Sequence, residues 1–241
     1  MSFKNKACKF CDKAGDTPII GGLFKAKPKV AIIRMAGIIA DSSMKRNAIS
    51  HSRFEKVIES AFETHKLQAV ALILNSPGGS PSQSSLIGTQ IRRLAVEKDV
   101  PVYAFVEDVA ASGGYWLACA ADEIFINDNS ILGSIGVISA GFGFTDAIEK
   151  LGIERRLHTQ GGKKSLLDPF KPERPEDVAR LENVQRQIHD NFKELVRSRR
   201  GQRLSLAEEE LFSGDFWLGT RAVDIGLADG IGDIREILRE R

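Results

Sequence analysis

The 241-residue chain sets 34 basic against 32 acidic side chains, a formal net charge of +2, and is 42% hydrophobic and 27% charged. That length fits one large α/β domain and buries a core without a metal or disulfide staple, while the charge balance excludes a protein built mainly to hold nucleic acid. Three cysteines, Cys8, Cys11 and Cys119, give no even framework and so exclude a disulfide-built secreted fold.

Residues 1–28 are rich in Lys and Gly, lack periodicity and read as a flexible tail ahead of a single domain over 29–241. Cys8-Lys-Phe-Cys11 has no second pair or histidine beside it. Two incidental thiols is therefore a simpler account than half a zinc site or a redox pair. Ile19-Ile-Gly-Gly-Leu-Phe24 is far too short to cross a bilayer, and no signal-peptide apolar region opens the chain. The expected location is cytoplasmic, with peripheral attachment to a membrane as the alternative.

Lys29–Met35 is a short apolar run between Pro28 and Gly37 and predicts a strand. Beyond a polar loop at 41–50, Phe54, Val57, Ile58, Ala61 and Phe62 recur at helical spacing. Ala69–Leu74 is continuously apolar, as strands buried on both faces of a parallel sheet are. The alternation continues with a helix over 82–97, a strand over 102–106, a helix from Ser112 to Ala121 and a strand over 123–126. Gly133–Ile138 predicts another buried strand, 144–151 a helix, and 153–157 a further strand. A Pro- and Lys-rich loop at 161–175 leads to a long polar helix over 175–200, and two or three short helices finish the chain. Its basic end, Arg197–Arg203, reads as a solvated surface, or else as a contact for anionic lipid. Strands alternating with helices in this way imply crossover units and a mostly parallel sheet.

Two segments carry chemistry. Ala110-Ala-Ser-Gly-Gly-Tyr-Trp116 sets Ser112 where a strand meets a helix, beside glycines that leave its hydroxyl open. Serine there is also an ordinary helix N-cap, and the two roles are compatible. Asn75-Ser-Pro-Gly-Gly-Ser80 is a turn at a strand end. Its bare backbone could equally approach a substrate, so that the amides of Gly79 and Gly113 hold an oxyanion. A nucleophilic serine needs an activating base. Of the four histidines, His51, His65 and His189 sit on or beside amphipathic helices and read as surface residues. His158, at a strand end, is the one plausible histidine base, with no supporting aspartate in view. Lys163 and Lys164 follow Gly161-Gly162. A lysine acts as a base only when apolar burial, here from Leu166, Leu167 and Phe170, favours its neutral form.

Taken together, these segments resemble the signal peptide peptidase A family of serine–lysine peptidases, within the Clp protease and crotonase fold, from about Val30 to Ile237. Asn75–Gly79 resembles the family's oxyanion turn, and Ala111-Ser-Gly-Gly-Tyr-Trp116 its nucleophile segment. Leu132-Gly-Ser-Ile-Gly-Val137 resembles the segment whose serine bonds the lysine, and Gly161-Gly-Lys-Lys-Ser165 the lysine segment. Phe212-Ser-Gly-Asp-Phe-Trp217 together with Ala222–Asp229 resembles its C-terminal signature. The resemblance implies an α/β fold of repeated ββα and βαβ units, with a mostly parallel sheet and C-terminal helices. It also implies hydrolysis of unfolded, apolar or signal-peptide-like peptides without metal or cofactor. Ser112 would be the nucleophile, Lys164 the general base, Ser134 the residue that orients the lysine, and Gly79 and Gly113 the oxyanion donors. Half-length relatives bring serine and lysine together across a subunit interface, so a homo-oligomer is implied too. Two rivals share the fold: an acyl-CoA enzyme of the crotonase type, which usually wants a carboxylate facing the thioester, and a silent oligomeric scaffold or peptide-binding module, which needs none of the three site side chains.

Overall fold

The computed structural model describes residues 28–41 and 47–241; the expected tail, with Cys8 and Cys11, lies outside them apart from Pro28. Five parallel strands form the body of the sheet in the order β1 (Lys29–Ala36), β2 (Leu67–Ser76), β3 (Val102–Ala111), β4 (Glu123–Ile126) and β7 (Gly230–Ile231). A short β5 (Ile131–Gly133) pairs in parallel with the end of β3, and β6 (Phe216–Leu218) pairs antiparallel with β5.

Register explains where the core lies. Ile33 pairs with Leu72, Leu72 with Ala104 and Ala104 with Ile124, a row of buried side chains on one face. Over this row pack α1 (His51–Phe62), α2 (Pro81–Lys98) and α3 (Gly113–Ala118), through Ile58 and Phe62, Ile87 and Ile91, and Leu117. On the opposite face Ala71, Phe105 and Phe125 form a smaller apolar patch under Ile234, Ile237 and Leu238 of α8 (Ile234–Glu240). β2 is continuously apolar over Ala69–Leu74 because both its faces are covered there.

One irregularity in β3 positions the site. Leu74 pairs with Val106, but Ser76 pairs with Ala110, so β3 carries two extra residues between these partners. Such a bulge bends a strand and raises its twist. Before the bulge β3 pairs with β4, and after it, over Val109–Ala111, with β5. The buried Ser130 hydroxyl donates toward the carbonyls of Val106 and Glu107 at the bulge. The last residues of β3 are thereby aimed at the turn that ends β2.

Two expected strands are absent. β5 stops at Gly133, and the next four residues, through Val137, turn away rather than extend, because Gly133 and Ser134 both adopt positive φ, 110° and 51°. Residues 153–157 form no strand and are largely exposed. The helices fall close to expectation, with α4 at Thr145–Lys150 and the long α5 at Pro175–Arg200, followed by α6 (Glu208–Leu211) and α7 (Gly219–Asp224), but strands β6 and β7 stand among the short C-terminal helices, where no strand is expected.

Candidate active site

The turn after β2 is built on close backbone contact. Gly78 (φ 101°) donates its N–H to Ser76 Oγ, 3.1 Å away, and its carbonyl accepts from Ile39. A Cβ on Gly78 would lie 2.8 Å from both the Ala111 carbonyl oxygen and the Gly113 nitrogen; one on Gly79 (φ 142°) would lie 2.0 Å from the Ile39 carbonyl oxygen. Only glycine satisfies both the φ and the space at these two positions. Gly78 is thus required by the approach of the β2 turn to the start of α3, and Gly79 by the approach of the same turn to the Ile39 backbone.

Ser112 stands at that approach with φ 51° and ψ −121°, well outside the extended backbone of an ordinary N-cap, and its hydroxyl makes no capping bond. Of the two sequence readings of Ser112, the structural one is not realised in hydrogen bonds. A non-glycine residue held at positive φ costs on the order of 1 kcal/mol or more and persists only where its surroundings enforce it. The enforcing contacts are a 2.8 Å bond from the Ser112 N–H to the Gly133 carbonyl and the Ser112 carbonyl accepting from Trp116. As the first residue of α3, Gly113 has an N–H with no intrahelical acceptor. A Cβ on Gly113 would lie 3.3 Å from the Gly79 nitrogen. The amides of Gly79 and Gly113 are therefore neighbours, and among the described residues neither donates to another backbone carbonyl.

Ser134 follows the Ala111–Gly133 strand pair just as Ser112 does on the neighbouring strand. Its N–H donates to the Asp215 carbonyl at 2.6 Å, and its carbonyl accepts from Gly136. Four of the five expected site residues, Gly79, Ser112, Gly113 and Ser134, are thus brought together. Lys164 is placed elsewhere, exposed in the turn 161–167 with its N–H on the Gly161 carbonyl. Among the described residues no hydrogen bond or ion pair joins it to Ser112 or Ser134. Asp168 anchors that turn. It accepts from the Phe170 amide and from Arg155, both at 3.1 Å. Burial pushes the Asp168 carboxyl up, but the Phe170 amide and the Arg155 guanidinium together outweigh it and hold the group below the usual carboxylate range.

The buried thiol and the two histidines of the C-terminal half are placed away from this chemistry or in other roles. Burial pushes the Cys119 thiol up to about 12, so a thiolate is not available there. His158 is exposed. His189, expected on the surface, is half-buried, with Nε2 3.0 Å from the Ile135 carbonyl oxygen. Two ion networks have no counterpart in the sequence reading. Arg199 and Arg92 both bind Asp122, and Arg200 binds Asp229. The spacing of His189, Phe192, Val196 and Arg200 along one face of the helix is the available signal. Among the described residues no group of three or more His, Cys, Asp and Glu could hold a metal ion.

The chain is 47% identical over 88% of its length to a Brucella abortus protein named Na(+)/H(+) antiporter NhaA, of which it covers 29%. That name belongs to the whole of a longer protein, and no described helix here is long and apolar enough to cross a membrane. It is 32% identical over 88% of its length to the chloroplastic serine protease SPPA of Arabidopsis thaliana, covering 32% of it. To protease 4 of Haemophilus influenzae it is 30% identical, again over 88% of the chain and 34% of the relative. The chain thus spans about a third of the length of these relatives.

Among solved structures, a membrane-bound stomatin-specific protease aligns with a TM-score of 0.56 at 19% identity, covering 89% of this chain and 85% of that one. A variant of it holding a substrate peptide aligns equally well, at 18% identity over 89% and 80%. At that identity the likeness concerns the fold, an α/β arrangement around a mostly parallel sheet. The family model for Peptidase family S49 matches residues 95–241, a span that takes in Ser112, Ser134 and Lys164. The chain belongs to peptidase family S49.

Proposed function

We propose that the chain is a serine endopeptidase in which Ser112 attacks the substrate carbonyl and Lys164 of a neighbouring copy is the general base. The observation that carries this reading is Ser112 itself: held at φ 51°, its hydroxyl making no capping bond, beside the Gly79 and Gly113 amides. A peptide carbonyl placed there meets the nucleophile and both donors at once.

Neutral Lys164 Nζ takes the Ser112 proton as the Oγ–C bond forms, and the carbonyl π pair moves onto oxygen, held by the two amides. The tetrahedral intermediate collapses, the C–N bond breaks, and the lysine returns its proton to the leaving amine. Water, deprotonated by the same lysine, then attacks the acyl carbonyl; the bond to Ser112 Oγ breaks, the lysine returns the proton to Oγ, and the carboxylic acid product leaves. Ser134, on the strand beside Ser112, holds the lysine amine in line. No metal or cofactor takes part.

The exposed place of Lys164 within one chain supports assembly of the site between copies. So does the apolar surface between Ser134 and the lysine turn, where Ile138 is 87% and Phe142 81% exposed. Burial of that surface against a second copy would also favour a neutral amine. The substrate class that fits is an extended, unfolded or apolar peptide, signal-peptide-like segments included, since an extended chain can add its backbone beside the Gly78-Gly79 turn.

The test is hydrolysis of a quenched fluorescent casein by wild type, Ser112→Ala and Lys164→Ala, with oligomeric mass recorded. Loss in both variants with assembly intact is expected. Full activity in Ser112→Ala would overturn the reading.

A further inference from the structure

One face of α5 runs against the site. Phe192 packs at a tilt of 32° against Trp116 of α3, 4.9 Å between ring centroids, and Val196 is fully buried. Arg199 donates to the carbonyls of Cys119 and Ala121, where α3 ends, at 2.9 and 2.8 Å. His189 completes the row. Its Nε2 lies 3.0 Å from the Ile135 carbonyl oxygen. A carbonyl only accepts, so Nε2 carries the proton.

Ile135 is fully buried and follows Ser134 directly. Besides its own bond from the Gly136 N–H to the Ser134 carbonyl, the turn at 133–135 is therefore tied to the rest of the fold at three points. The Gly133 carbonyl accepts from Ser112, the Ser134 N–H donates to Asp215, and the Ile135 carbonyl accepts from His189. Two of the three are backbone bonds. The third depends on a side chain, and it fixes the residue next to a serine kept at φ 51°.

We propose that His189 is a positioning residue for the serine pair: by tethering the Ile135 carbonyl it holds Ser134 in its left-handed conformation and, through the Gly133 carbonyl, keeps Ser112 in place. The inference rests on the roles assigned above to Ser112 and Ser134. It makes α5 the element that orders the nucleophile helix and the Ser134 turn together, while the loop that leads into it carries Lys164. Without the tether the buried Ile135 carbonyl lacks its donor and Ser134 is free to relax toward ordinary φ, which misaligns the hydroxyl.

The experiment compares His189→Leu, which fills the space without a donor, with His189→Gln, which keeps a donor. Casein hydrolysis, fluorophosphonate labelling of Ser112, unfolding temperature and oligomeric mass are all recorded. In His189→Leu kcat is expected to fall on the order of tenfold with KM nearly unchanged, the pattern of a misplaced reacting group. His189→Gln should recover most of that loss. An unaltered kcat in His189→Leu, a change confined to KM, or a Gln variant no better than Leu overturns the proposal. A direct check needs no variant: nitrogen-15 spectra of histidine-labelled wild type in mildly alkaline buffer should show His189 protonated at Nε2, and protonation at Nδ1 alone contradicts the bond. Wild type that neither hydrolyses casein nor labels at Ser112 would defeat the peptidase reading itself. An active, labelled wild type with an indifferent His189→Leu would defeat only this inference.

Discussion

Ser112 and Ser134 leave neighbouring parallel strands one residue after the Ala111–Gly133 pair, and both do so at φ 51°. A 2.8 Å bond from the Ser112 N–H to the Gly133 carbonyl locks the two exits together. Two non-glycine residues in the left-handed region, side by side, store strain that the surrounding backbone must enforce. Such strain gathers where geometry is used.

The glycine turn gives the first prediction. Gly78→Ala would place a Cβ 2.8 Å from the Gly113 nitrogen at φ 101°. The variant is expected to lose at least about 1 kcal/mol of stability from φ alone, and to push the start of α3 off the turn. Urea unfolding and fluorophosphonate labelling measure the two effects. A Gly78→Ala protein that labels at the wild-type rate would contradict the close approach on which the proposed oxyanion site depends.

The second concerns the buried pair behind α3. The Arg200 side chain is 2% exposed, bonds both Asp229 oxygens, and also donates to the Gly226 carbonyl. Removing one partner leaves a buried charge, so Asp229→Asn should destabilise by about 3–5 kcal/mol in urea unfolding. A loss under about 1 kcal/mol would mean that the pair is solvated.

Acid stability supplies the third. The Asp168 carboxyl is held below the usual range: burial raises it, and the Phe170 amide and Arg155 more than offset that. With the folded value below the unfolded one, its contribution is complete above the unfolded value of about 4 and is lost as pH falls through the folded value. Hydrogen exchange across 167–171 should therefore quicken on acidification below about pH 4 relative to the rest of the chain. Asp168→Asn should remove that excess pH dependence. An unchanged profile in the variant would show that the carboxylate does not hold the lysine turn.

Cys119 gives a fourth. With burial pushing its thiol up to about 12, a Cys8→Ser, Cys11→Ser protein should resist a disulfide reagent in mildly alkaline buffer until denaturant is added. Prompt labelling of the native protein would place Cys119 at the surface.

Much of this is legible in the sequence, for physical reasons that can be named. The apolar run Ala69–Leu74 reads as a covered parallel strand because both faces of β2 are covered. Gly78, Gly79 and Gly113 are legible as glycines beside Ser112 because close approach leaves no room for a Cβ at these three positions. The expected strand over 133–138 misleads because Ile135 is buried by a turn rather than by a sheet, and local hydrophobicity does not distinguish the two. His189 reads as a surface residue because its partner is a carbonyl 54 residues away. The resemblance singles out Lys164 as the proposed base but does not locate it, since its place depends on what covers an exposed loop.

The most direct test is subunit mixing. Ser112→Ala and Lys164→Ala are each expected to be inactive. Dissociated and reassembled together in equal amounts, they should regain roughly a quarter of wild-type casein hydrolysis, because a site formed across a symmetric interface then finds one intact serine beside one intact lysine by chance. A mixture that assembles fully and stays inactive would contradict a serine–lysine site shared between copies.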